Sequence, residues 1–384
     1  MFPRLLKPIK QQSFFLLGPR GTGKSTWVGE HYPTALKIDL LNESVFQEFL
    51  RNPSSLEAVV EGQKSQTIII DEVQRLPELL NEVHRMLESK KTGVNRKYQF
   101  ILTGSSARKL RKSGVNLLAG RAWSKRFFPL TAVELGDRFN LLQSLKFGHL
   151  PEVYSSPDPK SYLKSYVGTY LREEIIQEAV VRNLSSFTKF LESAAFSQGG
   201  VVSLQSIARD CGVDAKTVSS YFTVLEDLLI GYRVPVFQKK TKRELTTHPK
   251  FYYFDVGVYR TLRRQGPLDS ADEIEGASVE SLVFQELNAT ITQLDFNYDI
   301  SFYRTRDKKE VDFILYGESG FKAIEVKKSD RYRNSDLDSL LIFLDEFPQA
   351  SAYLFYGGER RLKVSGIDII PLQEALPILP ELLR

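Results

Sequence analysis

Apolar positions in the first part of the chain fall in short unbroken runs rather than in strict alternation. Phe14-Phe15-Leu16-Leu17, Ala35–Ile38 and Thr67-Ile68-Ile69-Ile70 each have the length of a strand buried on both faces. Between them lie stretches with helical periodicity, one from Lys24 and one running through Leu50 and Leu56. Strands alternating with helices predict a parallel sheet with crossover helices, hence an α/β fold. After Asp71, Leu76, Leu79, Leu80, Val83 and Leu87 recur at helical spacing with Pro77 in the first turn, and Phe100-Ile101-Leu102 is a further strand.

From Gly136 to about Arg182 the pattern is mostly helical. Leu141, Leu142 and Leu145 come first, then Tyr162, Tyr166, Tyr170 and Leu171, and tyrosines four residues apart are expected to face a core. Three more helices follow. The first carries Phe187, Phe190, Leu191 and Ala194 and stops at Gly199-Gly200, and the second follows Ser203. The third is capped by Asp214 and bears Val218, Tyr221, Phe222, Leu225, Leu228 and Leu229. With Cys211-Gly212-Val213 as a tight turn and Tyr232–Phe237 extended, this reads as a winged helix-turn-helix. Beyond it come a helix from about Ala277 and three strands, Ser301–Arg304, Val311–Tyr316 and Phe321–Val326.

At 384 residues the chain is expected to form two to four domains. The single cysteine, Cys211, rules out an intrachain disulfide; with no charged-then-apolar leader, a reducing cytoplasm is expected. No uncharged run approaches the roughly 18 residues of a membrane span. A net charge of +5 permits nucleic-acid binding without requiring it, so the placement of charge matters more. Arg108, Lys109, Arg111, Lys112, Arg121, Lys125 and Arg126 occupy a segment free of acidic residues, and Lys239, Lys240, Lys242 and Arg243 form a second cluster. Each is either a solvated face or a nucleic-acid track.

Two motifs carry chemistry in the first domain. Gly18-Pro19-Arg20-Gly21-Thr22-Gly23-Lys24-Ser25 is a complete G-x-x-x-x-G-K-[ST] loop between a strand and a helix, with Thr26 next on the helix. Such a loop turns backbone N–H groups toward a β-phosphate, Lys24 supplies charge to the β/γ oxygens, and Ser25 offers a hydroxyl to Mg²⁺. Asp71-Glu72, at the end of a buried strand, forms a Walker B pair: Asp71 for the metal, Glu72 to polarise the attacking water. Thr103 and Ser105 end the neighbouring strand and either sense the γ-phosphate or orient the attacking water, or else cap the next helix.

The strings Ile69-Ile70-Asp71-Glu72-Val73-Gln74-Arg75-Leu76-Pro77, Leu102-Thr103-Gly104-Ser105-Ser106-Ala107, Leu118-Ala119-Gly120-Arg121 and Pro129-Leu130-Thr131-Ala132-Val133-Glu134 resemble prokaryotic AAA+-type ATPases with a nuclease-like C-terminal domain. Tyr252-Tyr253-Phe254-Asp255-Val256-Gly257, Glu310-Val311-Asp312-Phe313 and Glu325-Val326-Lys327 extend the resemblance over nearly the whole chain. It implies a P-loop ATPase domain over 1–135, a helical lid over 136–183, a winged helix over 184–240 and a restriction-endonuclease-like domain over 241–384. It also suggests Arg121 as an arginine reaching a bound nucleotide from its own or a neighbouring subunit, with Arg172 as a rival in the lid.

Acidic residues inside strands need a reason. Asp312 lies between Val311 and Phe313, Glu325 between Ile324 and Val326, and Lys327 shares a face with Glu325. With Glu280 they resemble the PD-(D/E)xK nuclease constellation, although Val311 stands where that motif has proline. Two carboxylates would hold Mg²⁺ and the lysine would position the nucleophile; the alternative is a buried ion-pair network on an inactive fold. The whole reads as a cytoplasmic, ATP- and Mg²⁺-dependent AAA+ enzyme acting on DNA, with or without cleavage. The rival is an ATP-controlled protein-interaction switch. A ring of copies is the assembly such relatives suggest.

Overall fold

The computed structural model describes residues 2–88, 98–105, 118–177, 184–238, 248–305, 307 and 309–384. The basic cluster from Arg108 to Lys112 and the one from Lys239 to Arg243 lie outside the described residues, as do Ser106 and Ala107. The chain divides into two compact units, one of Leu6–Phe128 with Asp227–Leu229, the other of Met1–Leu5, Pro129–Glu226 and Ile230–Arg384. Among the described residues no helix is long and apolar enough to cross a membrane.

In the Leu6–Phe128 unit, strands β1 (Ser13–Leu17), β2 (Leu36–Asp39), β3 (Thr67–Asp71), β4 (Gln99–Gly104) and β5 (Ala122–Arg126) form a sheet in the order β2-β3-β4-β1-β5. Every pair is parallel. The chain is thus an α/β protein of P-loop type. The unbroken apolar runs are explained by burial on two sides. Phe15 and Leu17 join one core with Ile68, Ile70, Phe100 and Leu102, whereas Phe14 and Leu16 join the other with Ile69, Ile101, Trp27 and Phe127. The helix expected through Leu50 and Leu56 is two helices, Glu43–Arg51 and Ser55–Glu61. Pro53 lacks an N–H and keeps Asn52 out of the helical region (φ −145°, ψ 80°), which breaks the run.

The other unit begins with helices, including Leu141–Phe147 and Pro159–Ser165. Segment Tyr166–Leu171 is a π-helix. Tyr166 is buried there, while Tyr170, expected in the core, is 38% exposed with its ring 6.1 Å from that of Tyr166. Helices Leu184–Phe196, Leu204–Cys211 and Ala215–Asp227 pack through Phe187, Phe190, Tyr221 and Phe222, with Phe190 centred 5.3, 5.2 and 4.9 Å from the other three rings. A two-stranded antiparallel hairpin, β6 (Gly231–Val234) with β7 (Lys250–Tyr253), closes this module.

Helix Ala271–Gln293 then leads into a six-stranded mixed sheet ordered β12-β13-β11-β10-β9-β8, comprising β8 (Asp299–Arg304), β9 (Glu310–Gly317), β10 (Gly320–Lys327), β11 (Ser351–Tyr356), β12 (Leu362–Val364) and β13 (Ile367–Pro371). Leu282, Val283, Phe284 and Leu287 of the helix pack with Phe302, Phe313, Leu315 and Ile324 of the sheet. A second core, with Leu340 and Phe343 of helix Asp338–Glu346 against Ile314 and Leu354, also lines the sheet.

Phe190 lies at the centre of the three-helix aromatic cluster and is fully buried. Phe190→Ala is therefore expected to lower stability by roughly 3–5 kcal/mol. Urea unfolding followed by circular dichroism measures it, and a midpoint equal to that of the parent would show that the ring packing contributes little.

Candidate functional site

The nucleotide motifs converge at the carboxyl edge of the parallel sheet, where such folds bind ligands. The loop leaves β1 at Gly18, whose N–H donates to the Gly104 carbonyl at the end of β4 (3.2 Å). A Cβ at Gly18 would stand 2.1 Å from the Phe127 carbonyl oxygen, so only glycine lets the loop pass beside the end of β5. Gly23 has φ 93°, the left-handed conformation that turns the loop into helix Lys24–His31. Thr22 Oγ1 donates to the Pro19 carbonyl (2.8 Å) and holds the curl from inside, while Arg20, Gly21, Ser25 and Thr26 are exposed on it. Lys24 is buried and donates to the carbonyls of Gly18 (2.6 Å) and Pro19 (3.0 Å).

Asp71 closes β3 beside that loop. Its Oδ1 accepts from Ser25 Oγ (3.2 Å) and from the Thr103 hydroxyl, and Lys37 Nζ lies 3.5 Å from its Oδ2. Thr103 also accepts from the Glu72 N–H (3.2 Å), so one buried hydroxyl aligns both members of the acidic pair. Glu72 takes φ 59°, a conformation disfavoured for a residue with a Cβ; such strain concentrates at functional sites. Its carboxylate accepts from Gln74 Nε2, which donates as well to Ser105 Oγ (2.9 Å). Gln74 and Lys37 were not singled out from sequence. Gln74 stands in the quoted motif, but its side chain could be aimed at Glu72 only once the 3₁₀ turn Val73–Arg75 was known.

The chain's own groups fit a magnesium–nucleotide complex. Ser25 and Asp71 present converging oxygens, and Lys24 is held over the loop. Ser25 and Asp71 are the residues that would hold Mg²⁺, which when bound neutralises phosphate charge and polarises the γ-phosphate. Arg121 does not join this cluster. It precedes Ala122, which pairs with Ser13 at the start of β1, whereas Leu17 at the loop end pairs with Arg126. That places Arg121 about 16 Å down the strand from the loop, where it pairs with Glu88 (2.5 Å). Arg172 lies in helix Arg172–Gln177.

The C-terminal residues do come together. Glu280 projects from helix Ala271–Gln293, Asp312 from β9, and Glu325 and Lys327 from β10. Register between β8 and β9 slips here, Ser301 pairing with Ile314 but Tyr303 with Val311, so Asp312 and Phe313 together oppose Phe302. Such a bulge re-aims a side chain. The β9–β10 ladder runs from Gly320 with Gly317 to Ile324 with Phe313, and beyond it the Val326 N–H donates to Asp312 Oδ2 (2.9 Å). Lys327 Nζ contacts Glu325 Oε1 (2.5 Å), as their shared strand face requires, while Glu325 Oε2 is buried with no hydrogen-bond partner.

A residue missed in the sequence occupies the middle of this set. Lys250, from β7, is 2% exposed, with Nζ 2.9 Å from Glu280, 2.6 Å from Glu310 and 3.3 Å from Asp312. The Tyr252 hydroxyl donates to Glu280 (2.5 Å). Burial, then the charge of Asp312, pushes the Glu280 carboxyl up to about 7, against the opposing pull of Lys250. Burial and Asp312 likewise push Glu325 up to about 8. Desolvation pulls the Lys250 ammonium down, yet Tyr252, Glu280, Asp312 and Glu310 together hold it well above its ordinary range. As arranged, these residues do not fit a divalent ion, because an ammonium already bridges the carboxylates. Among the described residues no group of three or more His, Cys, Asp or Glu side chains is disposed to hold a metal.

Comparison with known proteins divides the chain into three. Residues 10–136 match the AAA domain family, 138–269 a domain of unknown function (DUF8612) and 275–375 another (DUF4143). An uncharacterized protein of Haemophilus influenzae is 22% identical over 345 residues, 85% of this chain and 80% of its own length. Among solved structures, Thermotoga maritima RuvB (K64R mutant) is 17% identical, with 58% of this chain and 82% of that one covered at a TM-score of 0.30. Cdc6p from Pyrobaculum aerophilum is 13% identical, covering 71% and 88% at 0.27.

The raised Glu325 carboxyl predicts a pH dependence of stability. Between its ordinary value of 4.5 and about 8 the folded protein keeps a proton that the unfolded chain releases, so this contribution is present at low pH and fades as pH rises through the window. Glu325→Gln cannot ionise. Its melting temperature relative to the parent is expected to be higher at pH 8.5 than at pH 5 by about 2–4 °C for roughly 1 kcal/mol, and a pH-independent gap would contradict the shift.

Proposed function

We propose that this chain is a magnesium-dependent ATPase that acts on DNA. The observation that carries the catalytic half is the convergence of Lys24, Ser25, Asp71 and Thr103 at the ends of adjacent parallel strands. The AAA domain match over 10–136 supports it. In this reading loop N–H groups and Lys24 bind the phosphates, Ser25 and Asp71 hold Mg²⁺, and Thr103 fixes Asp71 and the Glu72 backbone together. Glu72 orients the attacking water, steadied by Gln74 and Ser105. Arg121 is read as reaching a neighbouring subunit's nucleotide, which makes a ring of copies part of the proposal.

The DNA half rests on the three-helix module with its hairpin, which we read as a winged helix whose helix Ala215–Asp227 presents Lys216 and Ser220 to solvent. Helix Ala271–Gln293 with β8 to β11 supports reading the last part as a restriction-endonuclease-like fold. Cleavage is not included, since Lys250 sits among the carboxylates that would bind the metal. A second reading, an ATP-controlled protein-interaction switch, is favoured by the sparse positive charge of that exposed helix.

Lys24→Ala is expected to abolish ATP turnover; persisting activity would remove the site assignment. Glu72→Gln should retain ATP binding by calorimetry while turnover falls on the order of 10²-fold or more. Double-stranded DNA is expected to stimulate the parent's turnover, measured by phosphate release. Turnover indifferent to DNA of any form would leave the switch as the better reading.

A further inference from the structure

Strand β7 has two faces with different tasks. Phe251 and Tyr253 point into the helical module: the Phe251 ring lies 4.9 Å from that of Phe222, and the Tyr253 hydroxyl donates to the Leu191 carbonyl (2.7 Å). Lys250 and Tyr252, offset by one residue and therefore on the opposite face, both reach Glu280. The Tyr252 ring is also stacked on Phe284 one helical turn from Glu280 (4.5 Å between centroids). Backbone pairing with β6 fixes the strand, with Val234 opposite Lys250. The ammonium is thus placed by a strand anchored on both sides, and it lies over the Phe302 ring (5.4 Å).

We infer that Lys250 is the resident cation of the Glu280–Asp312–Glu325 centre, held by the β6–β7 hairpin in the position a divalent ion would otherwise take. Three observations carry this. The ammonium lies within 3.3 Å of carboxylates from the helix and from β9, the two elements that would have to share a metal. The lysine is withdrawn from water, being only 2% exposed. Glu325, nearly fully buried, keeps Oε2 without a hydrogen-bond partner among the described residues, an oxygen that Lys250 and Lys327 leave unused and that a metal could use. Removing one partner of a buried charge cluster leaves the others uncompensated, so a protein without the lysine has reason to recruit another cation.

The test uses the full chain without nucleotide and Mn²⁺ as the probe, read by electron paramagnetic resonance and by thermal unfolding. The parent is expected to take up no Mn²⁺ that Asp312→Asn removes. Lys250→Met is expected to unfold at a lower temperature, to bind one Mn²⁺, to recover much of its melting temperature with it, and to lose both effects when Asp312→Asn is added. The inference is overturned if the parent binds Mn²⁺ in an Asp312-dependent manner, a measurement that needs no variant at position 250. It is equally overturned if folded Lys250→Met gains no Mn²⁺ site. Lys250→Arg, which keeps the charge, should remain free of Mn²⁺ should the methionine variant fail to fold. None of these readouts depends on ATP turnover or DNA, so they stand apart from the proposed function.

Discussion

A lysine ammonium withdrawn from water must be met by oxygen atoms fixed in place, and both centres of this chain are organised around that need. Desolvating a charge costs several kcal/mol unless partners are preset. Lys24 meets the carbonyls of Gly18 and Pro19, and Lys250 meets the carboxylates of Glu280, Glu310 and Asp312. The chemistry diverges at that point. Carbonyl oxygens solvate an ammonium without cancelling its charge. Carboxylates cancel it, so Lys250 is satisfied within the protein.

The same contrast governs the acids. Asp71 receives hydroxyls from Ser25 and Thr103 and faces the half-exposed Lys37 ammonium 3.5 Å from its Oδ2, partners that a metal ion could share or displace. Asp312 is gripped by a backbone N–H and by Lys250. Exchange of ligands is built into the first centre and resisted in the second. A site that must bind and release a nucleotide in each cycle needs the former. A centre that ties a hairpin to a helix and a sheet needs the latter.

What the sequence disclosed follows from the range of each interaction. Runs such as Phe14–Leu17 and Thr67–Ile70 are local signals of strands covered on two faces, and the phosphate loop and Asp71-Glu72 are contiguous motifs, so the parallel sheet and the residues gathered at its carboxyl edge were legible. Glu280, Asp312, Glu325 and Lys327 were legible as acids and a lysine where apolar residues belong. Lys250 was not, because it follows a basic segment and resembles linker charge, and its partner Asp312 is 62 positions away. Nor could spacing show the slip that sets Asp312 and Phe313 together against Phe302, or the π-helix over Tyr166–Leu171. These depend on strand register and backbone winding, which residue types only weakly encode.

Composition also places a break near residue 240, where lysines crowd, yet the hairpin crosses it. Strand β6 lies before that point and β7 after it. Cutting there would leave β6 with an unpaired edge and take from the helices the rings of Phe251 and Tyr253, while the carboxylates would keep Lys250. Neither piece would be whole. The physical boundary is therefore not a point along the chain but a strand with two faces, aromatic toward the helices and cationic toward the carboxylates. Each face would be strained without the other, since it is the ring packing that holds the ammonium against its partners.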